Sequence, residues 1–251
     1  MNALIVGTRK QTVLDHLSDV FLLIDDGDLI DRIVLPERKA VTGFDVSQHS
    51  FNPLKAIDYR RAVEFVDVLN AVYPEGENTL TKATFEYQLL QALSDKPTTL
   101  TALIKDTKNT QYAYQKIQRL LLSPVLERVL NRPTNFSFKG TILARLDRAA
   151  LGDFDCFVLA NLLVSLYPGQ VIIPDFGFYA HKGHASLIRQ HRLVAGVNSL
   201  SEVPQLAQQL LTMDTKIASH STADDAKTLA GYTGMLPGTN AYNHFIETCI
   251  K

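Results

Sequence analysis

The chain of 251 residues has few cysteines, no excess of positive charge and no long hydrophobic run, and each of these absences argues against a class of protein. It contains only two cysteines, Cys156 and Cys249, which lie far apart and lack the CxxC spacing of zinc and redox sites. We expect both to be reduced thiols in a cytosolic protein, with Cys156 buried. An excess of positive charge is also missing, because the formal net charge is −1. A DNA-handling role therefore needs a local basic surface, or a ring that concentrates charge in its pore.

Long hydrophobic runs and targeting signals are missing as well. The first ten residues, MNALIVGTRK, have no basic residue before their apolar stretch, so we expect no signal peptide. The longest apolar run, 156–167, is interrupted by Asn161 and Ser165 and is too short to cross a bilayer. Repeats, low-complexity segments and flexible linkers are not found in the sequence. These features predict a soluble, cytoplasmic protein that forms one domain over 1–251.

Short apolar strands alternate with helical patterns along most of the chain. This alternation predicts an α/β fold with a mostly parallel sheet flanked by helices and right-handed crossovers. Residues 58–131 carry only helical patterns, and because the alternation resumes afterwards we interpret them as a helical insertion. Strands are predicted at 3–6, 21–24, 41–46, 141–147, 170–175, 192–198 and 215–221, and the first helix at 12–20.

Two polar residues follow neighbouring strands of this sheet. Asp175 comes directly after the buried strand VIIP, at the carboxyl edge where α/β proteins bind ligands. It is either a ligand to a metal ion or the cap of the following turn. Asn198 ends the next strand, RLVAGVN, where an amide orients a water beside a phosphate or caps the helix that begins in SLSEVP. The sequence alone leaves both alternatives open.

Basic and glycine-containing segments supply the remaining candidates. The turn Gly7-Thr-Arg-Lys-Gln-Thr12 has one glycine, one lysine and one hydroxyl in roughly the order of a phosphate-binding loop, but it is short and has no second glycine. A plain turn between strand and helix is the alternative. Arg189 and Arg192 belong to a basic cluster with three histidines, which is either a solvated helix face or a set of phosphate contacts. The pair His181-x-x-His184 has no third metal ligand nearby in the sequence.

The order of these motifs resembles the additional-strand P-loop NTPases, and more narrowly the FtsK/HerA superfamily of DNA-pumping ATPases. The segments that carry the resemblance lie at 40–54 and 141–235, a little under half of the chain. They are FDVSQHSFNPL, TILARLDRAALGDFDCFVLANLLVSLY, VIIPDFG, RLVAGVNSLSEVP and TKIASHSTADDAKTLAGYTGM. Within that superfamily the chain looks most like the TraG-type conjugation ATPases and the genome-packaging ATPases of viruses.

The resemblance implies a RecA-like P-loop fold and a role for each candidate. Asp175 would be the Walker B acid that holds Mg²⁺, and Asn198 the sensor amide. Arg189 or Arg192 would complete a neighbouring subunit's site as a trans-acting finger. A reduced Walker A loop would comprise three residues, Gly7, Lys10 and Thr12, with Lys10 on the phosphates of ATP and Thr12 on the metal. Double-stranded DNA and a hexameric ring of identical subunits are the implied partners.

The sequence departs from that family pattern at two positions. Phe176 stands where family members carry the glutamate that polarises the attacking water. The Walker A loop is shortened, which removes backbone N–H contacts to the phosphates. We therefore expect a DNA-translocating or genome-packaging ATPase of a virus or mobile element with degenerate motifs and impaired or rearranged hydrolysis. The alternatives are a non-catalytic pseudo-ATPase subunit and an unrelated α/β binding protein.

Overall fold

The computed structural model describes residues 2–7, 10–17, 19–34, 40–55, 57–72, 79–107 and 111–251. Seven strands and twelve α-helices are assigned within these ranges. The strands are β1 (Ala3–Val6), β2 (Phe21–Asp25), β3 (Val41–Phe44), β4 (Thr141–Arg145), β5 (Gln170–Ile173), β6 (Leu193–Val197) and β7 (Thr215–Ala218). The helices are α1 (Tyr59–Val72), α2 (Thr79–Ser94), α3 (Leu100–Thr107), α4 (Gln111–Leu122), α5 (Pro124–Leu130), α6 (Arg148–Leu151), α7 (Asp153–Leu166), α8 (Phe176–Tyr179), α9 (Ala185–Arg189), α10 (Ala207–Leu211), α11 (Ala223–Tyr232) and α12 (Asn240–Ile250).

The strands form one sheet in the order β3-β4-β2-β5-β6-β1-β7. The five strands from β2 to β7 in that order pair in parallel. The predicted α/β class, with a mostly parallel sheet flanked by helices, is confirmed, and the architecture is that of a RecA-like P-loop NTPase. The sheet order also shows that β6 lies between β1 and β5, which chain order alone does not reveal.

Contacts within the chain divide it into two compact units. The sheet unit comprises Met1–Thr42, Gly140–Ala144 and Gly169–Lys251, and the helical unit comprises Gly43–Lys139 and Arg145–Pro168. The sequence predicts a single domain with a helical insertion at 58–131, and this stays a prediction. Five helices, α1 to α5, follow one another between residues 59 and 130, as the helical patterns indicated. Residues 73–78, between α1 and α2, lie outside the described ranges.

The sheet unit is built around strands that are buried over most of their length. All residues of β1, β2 and β6, and all of β5 except Gln170, are buried, which explains why their sequences are largely continuous apolar runs rather than alternating patterns. One core cluster joins these strands to the segment after β1: Ala3, Ile5, Val13, Phe21, Leu23, Leu29, Ile172 and Val194. Burying one large apolar side chain of this kind stabilises the folded state by roughly 1.5–3 kcal/mol, so this cluster holds the strands in place.

The helical unit follows the patterns of its helices. In α1 the buried residues Ala62, Phe65, Val66 and Leu69 recur at helical spacing. The helix α7 is buried on most sides, as the mostly apolar sequence after its first turn predicts. Burial raises the pKa of the Cys156 thiol in this helix to about 12, with the nearby Asp155 carboxylate adding to the effect. The predicted burial of Cys156 is thus confirmed, and the thiol stays protonated at neutral pH.

The first predicted helix differs from expectation. Residues Lys10–His16 form a 3-10 helix rather than an α-helix extending to residue 20. The sequence has only three residues between the end of β1 and the start of this helix, and Phe21 must already pair in β2. A 3-10 helix spans more length per residue than an α-helix, which suits such a short connection. Among the described residues, none of the helices has both the length and the apolar character that a membrane crossing demands.

Candidate functional site

Three of the predicted site residues meet at the carboxyl edge of the sheet. Val6 is level with Val197 in the register of β1 and β6, so Gly7 and Asn198 are the next residues on adjacent strands. Their Cα atoms are therefore separated by about 5 Å. Ile173 is level with Ala195 in the pairing of β5 with β6, and Asp175 follows two residues later. Asn198 thus stands between Gly7 and Asp175 at this edge, and its role as the sensor amide stays a prediction.

Asp175 occupies the N-cap position of α8 without acting as a cap. Its side chain makes no capping hydrogen bond to the described N–H groups of this short helix. The backbone around it is held closely by β6, because a Cβ atom on Gly196 would overlap the carbonyl of Pro174. The capping alternative is therefore not what the structure shows. Asp175 is partly exposed at the carboxyl edge of the sheet.

Phe176, at the position of the family's glutamate, belongs to the core. Its side chain is completely buried, and its ring lies 5.2 Å from the ring of His184. His184 in turn packs against His181, with 4.2 Å between the ring centroids. Burial lowers the pKa of His181 to about 4, and burial also holds the pKa of His184 well below its usual value. Both rings are neutral near pH 7, so this pair supports Phe176 and supplies no charge to the site.

These two histidines form a closed local structure rather than a metal site. The Gly183 N–H donates to Nδ1 of His181, and the His181 N–H donates to Nδ1 of His184. Each Nδ1 atom is thereby occupied as an acceptor. Among the residues that the structure describes, no group of three or more metal-binding side chains is present.

Asn198 is held by a carboxylate that the sequence reasoning missed. Its backbone N–H donates to Oε2 of Glu202 over 3.2 Å, and its Nδ2 donates to Oε1 over 3.0 Å. The capping role belongs instead to Ser199, whose hydroxyl accepts from the Ser201 N–H at the start of the 3-10 helix Leu200–Glu202. The one available signal was a glutamate four residues after the asparagine, close enough for its side chain to fold back.

Glu202 also reaches the loop of Asp175. A Cβ atom on Gly177 would overlap the Glu202 carboxylate, so glycine at this position makes room for the acid. The turn that carries Glu202 is anchored from α11, because the Leu200 N–H donates to Oδ1 of the buried Asp225 over 3.1 Å. The carboxylate is thus positioned by three separate elements of the sheet unit.

The turn after β1 has a different character. The Gly7 N–H donates to the carbonyl of Val197 over 2.8 Å, and the Ser219 N–H donates to the carbonyl of Val6 over 3.0 Å. Gly7 has a φ of +117°, and a Cβ atom there would overlap the Ser219 carbonyl oxygen. Its N–H is therefore engaged by the sheet rather than directed at a ligand.

The other residues of the predicted Walker A loop are only partly described. Thr12 lies partly buried in the 3-10 helix that follows β1, and Lys10 begins this helix. The Lys10 side chain and residues 8–9 lie outside the described parts of the structure. The roles of Lys10 on phosphate and Thr12 on the metal stay predictions.

The two arginines lie at the amino ends of the strands, opposite the carboxyl edge that carries Asp175 and Asn198. Arg189 is the exposed last residue of α9, and Arg192 immediately precedes β6, whose far end carries Asn198. A strand of five residues separates these ends by about 16 Å. Arg192 donates through Nε to the Gly169 carbonyl over 2.9 Å, which ties the start of β6 to the start of β5. Neither arginine joins Asp175 within the chain, and the role of a trans-acting finger stays a prediction.

The donor set at the carboxyl edge fits a magnesium ion better than it fits a triphosphate. Asp175 offers a carboxylate, which is the hard ligand that Mg²⁺ prefers, and such ions are usually bound through one or two carboxylates and keep several waters. Asp175 is the residue that would hold the ion, which when bound would neutralise charge on phosphate oxygens. The described part of the β1 turn contributes no backbone donor to phosphate, since the Gly7 N–H is engaged.

Comparison with known proteins supports the same fold. No protein-family model and no curated protein matches the chain. The structure is similar to VirB4 of Thermoanaerobacter pseudethanolicus, with a TM-score of 0.60 and 12% identity, over 98% of this chain and 84% of that one. It is also similar to the plasmid coupling protein TrwB in complex with the GTP analogue GDPNP, with a TM-score of 0.54, 13% identity and coverage of 92% and 74%.

A second TrwB structure, in complex with ADP and Mg²⁺, matches with a TM-score of 0.53 and 13% identity, over 83% of this chain and 67% of that one. VirB4 and TrwB are FtsK/HerA-type P-loop ATPases. The resemblance is confirmed as a shared fold. At these identities the likeness establishes the fold alone.

Proposed function

We propose that the protein is an ATPase-like domain of the FtsK/HerA type that serves DNA transport in a mobile element, with a rearranged hydrolytic site. The observation that carries this proposal is the position of β6, which places Asn198 between the Asp175 loop and the turn after β1. The place of Asp175 supports it further, because this residue is partly exposed at the carboxyl edge, two residues after β5. One similar structure is described as that of the bacterial conjugative coupling protein TrwB, and another as that of TrwB in complex with ADP and Mg²⁺.

Each proposed role follows from a residue's place at the sheet edge. Asp175 would hold Mg²⁺ as its carboxylate ligand, and Asn198 would orient the attacking water. Lys10 and Thr12 would contact phosphate and metal from the segment after β1. Arg189 or Arg192, at the other edge, would act on a neighbouring subunit of a hexameric ring. Double-stranded DNA is the proposed transport substrate, in conjugative transfer or genome packaging.

Thermal unfolding with ATP tests the proposal directly. ATP at 100 times its dissociation constant should stabilise the full chain by about 2.7 kcal/mol, and Mg²⁺ should increase the shift. Asp175→Asn should remove the magnesium-dependent part of the shift and lower hydrolysis by roughly 100-fold or more. Asp214→Asn is the matched control, because this exposed aspartate precedes β7 at the opposite edge of the sheet. It should behave as the wild type.

A non-catalytic subunit is the second candidate function. It is favoured by the engaged Gly7 N–H and by the buried Phe176 at the position of the missing glutamate. The same measurements separate the two candidates. ATP binding without turnover, with or without double-stranded DNA, would support the pseudo-ATPase. The absence of any shift at millimolar ATP would contradict the ATPase function and favour a non-catalytic subunit or an unrelated α/β binding protein.

A further inference from the structure

The site lacks a water-activating group where the family pattern puts it. Phe176 follows Asp175 directly, and its side chain is fully buried against His184. Placing a carboxylate there would require an unpaired charge in the core, which costs several kcal/mol. A base for the proposed hydrolysis must therefore come from another element.

Glu202 is the carboxylate that reaches the same loop from the other side. It lies against Gly177, two residues after Asp175, in space that any larger residue would fill. It is exposed to solvent, so water has access to its oxygens. Each of these oxygens accepts one hydrogen bond from Asn198, which leaves further acceptor capacity on both.

The surroundings of Glu202 fix its position. The backbone N–H and the side-chain Nδ2 of Asn198 bind its two oxygens and orient the plane of the carboxylate. The turn itself is tied to α11 through Leu200 and the buried Asp225. Support of this kind by neighbouring hydrogen bonds is what a reacting group needs to keep its geometry. An exposed glutamate with no role would gain little from being held at both oxygens.

We propose that Glu202 is the general base of this site, in place of the glutamate that Phe176 has replaced. The inference rests on the proposed ATPase function. In the reaction, the water oxygen bonds to the γ-phosphorus of ATP while the bond from that phosphorus to the β–γ bridging oxygen breaks. The bridging electron pair leaves with ADP, and phosphate is the second product. The water proton passes to a carboxylate oxygen of Glu202 and then to solvent, while Asn198 acts as a positioning residue.

The decisive experiment compares Glu202→Gln with Glu247→Gln, a matched change of an exposed glutamate on α12. For the full chain with Mg²⁺, ATP-induced thermal shift, hydrolysis with and without double-stranded DNA, and the identity of the bound nucleotide are measured. Glu202→Gln should keep the wild-type ATP shift, lose hydrolysis by about 100-fold or more, and retain ATP rather than ADP. Glu247→Gln should match the wild type in all three.

A second variant keeps the proposal testable if Glu202→Gln does not fold. Gly177→Ala leaves every charge in place but pushes the Glu202 carboxylate aside, so it should also lower hydrolysis while ATP still binds. Wild-type turnover in Glu202→Gln, with ATP binding intact, would overturn the assignment of Glu202 and leave the proposed function standing. No ATP shift in the wild type would overturn the proposed function and this inference together.

Discussion

The turn after β1 and the turns after β5 and β6 lie at one sheet edge but use their polar groups in opposite ways. In the first, the Gly7 N–H is bound by the neighbouring strand, and its Cα lies against the Ser219 backbone. In the other two, side-chain carboxylates reach the surface. Asn198 binds the Glu202 carboxylate, and Gly177, which has no side chain, leaves room for it. Backbone groups are engaged on one side, and acidic side chains are presented on the other.

Under the proposed function, these turns would form the phosphate half and the metal half of one site. The phosphate half would need free backbone N–H groups, and the Gly7 N–H is already engaged by Val197. The metal half would need side chains at strand ends, and Asp175 and Asn198 lie there. Substitutions in each half in turn should show whether the two halves respond differently.

The largest expected effect is at the turn after β1. Gly7→Ala introduces a side chain at a φ of +117° and into the Ser219 carbonyl, so it should lower the free energy of unfolding by roughly 3 kcal/mol or more. Denaturant unfolding measures this change. The control, Gly231→Ala in α11, has open space around it and should be neutral or slightly stabilising. Equal stability of the two variants would show that the tight packing of Gly7 is unimportant.

A smaller effect is expected where β6 meets the Asp175 loop. Gly196→Ala would press on the Pro174 carbonyl and should cost about 2 kcal/mol of stability. It should also weaken the magnesium-dependent thermal shift, because Asp175 follows Pro174 directly. The control is Gly43→Ala in β3, because a Cβ atom at this position would have no atom within 4 Å. Unchanged magnesium dependence in Gly196→Ala would separate the strand contact from the metal site.

The smallest effect concerns the histidines behind Phe176. Their pKa values are lower in the folded than in the unfolded protein, so the unfolded chain binds more protons below about pH 6.5. Stability should therefore fall as the pH falls, by about 1 kcal/mol between pH 7 and pH 6. Thermal unfolding of wild type and His181→Gln/His184→Gln checks this, and the double variant should lose that dependence. The same slope in both proteins would assign it to other groups, and His244→Gln is the exposed control.

The sheet was predictable because its strands carry continuous apolar runs between helical patterns. Asp175 was predictable as a site candidate because a polar residue after a buried strand lies at the carboxyl edge. The strand order was not visible in the spacing of the residues and was not predicted; the structure supplies it. The helix α12 was missed, and the 3-10 form of Lys10–His16 follows from a connection length that helical periodicity does not report.

The approach of Glu202 to the Asp175 loop could not be found from local pattern. Its contact with Gly177 joins residues 25 positions apart, on turns that follow two different strands. Glycine at 177 looks like an ordinary turn residue until the neighbouring turn is known. The buried state of Phe176 likewise depends on His184, which belongs to a segment that the sequence suggested only as a basic cluster.

The close approach of Gly196 to the Pro174 carbonyl has a mechanical consequence. With no free space between the two backbones, the end of β6 and the start of the Asp175 loop cannot shift independently. A ligand that draws Asn198 and Glu202 inward must displace Asp175 by a similar amount. A fluorescent label on either loop would therefore report the occupancy of the other.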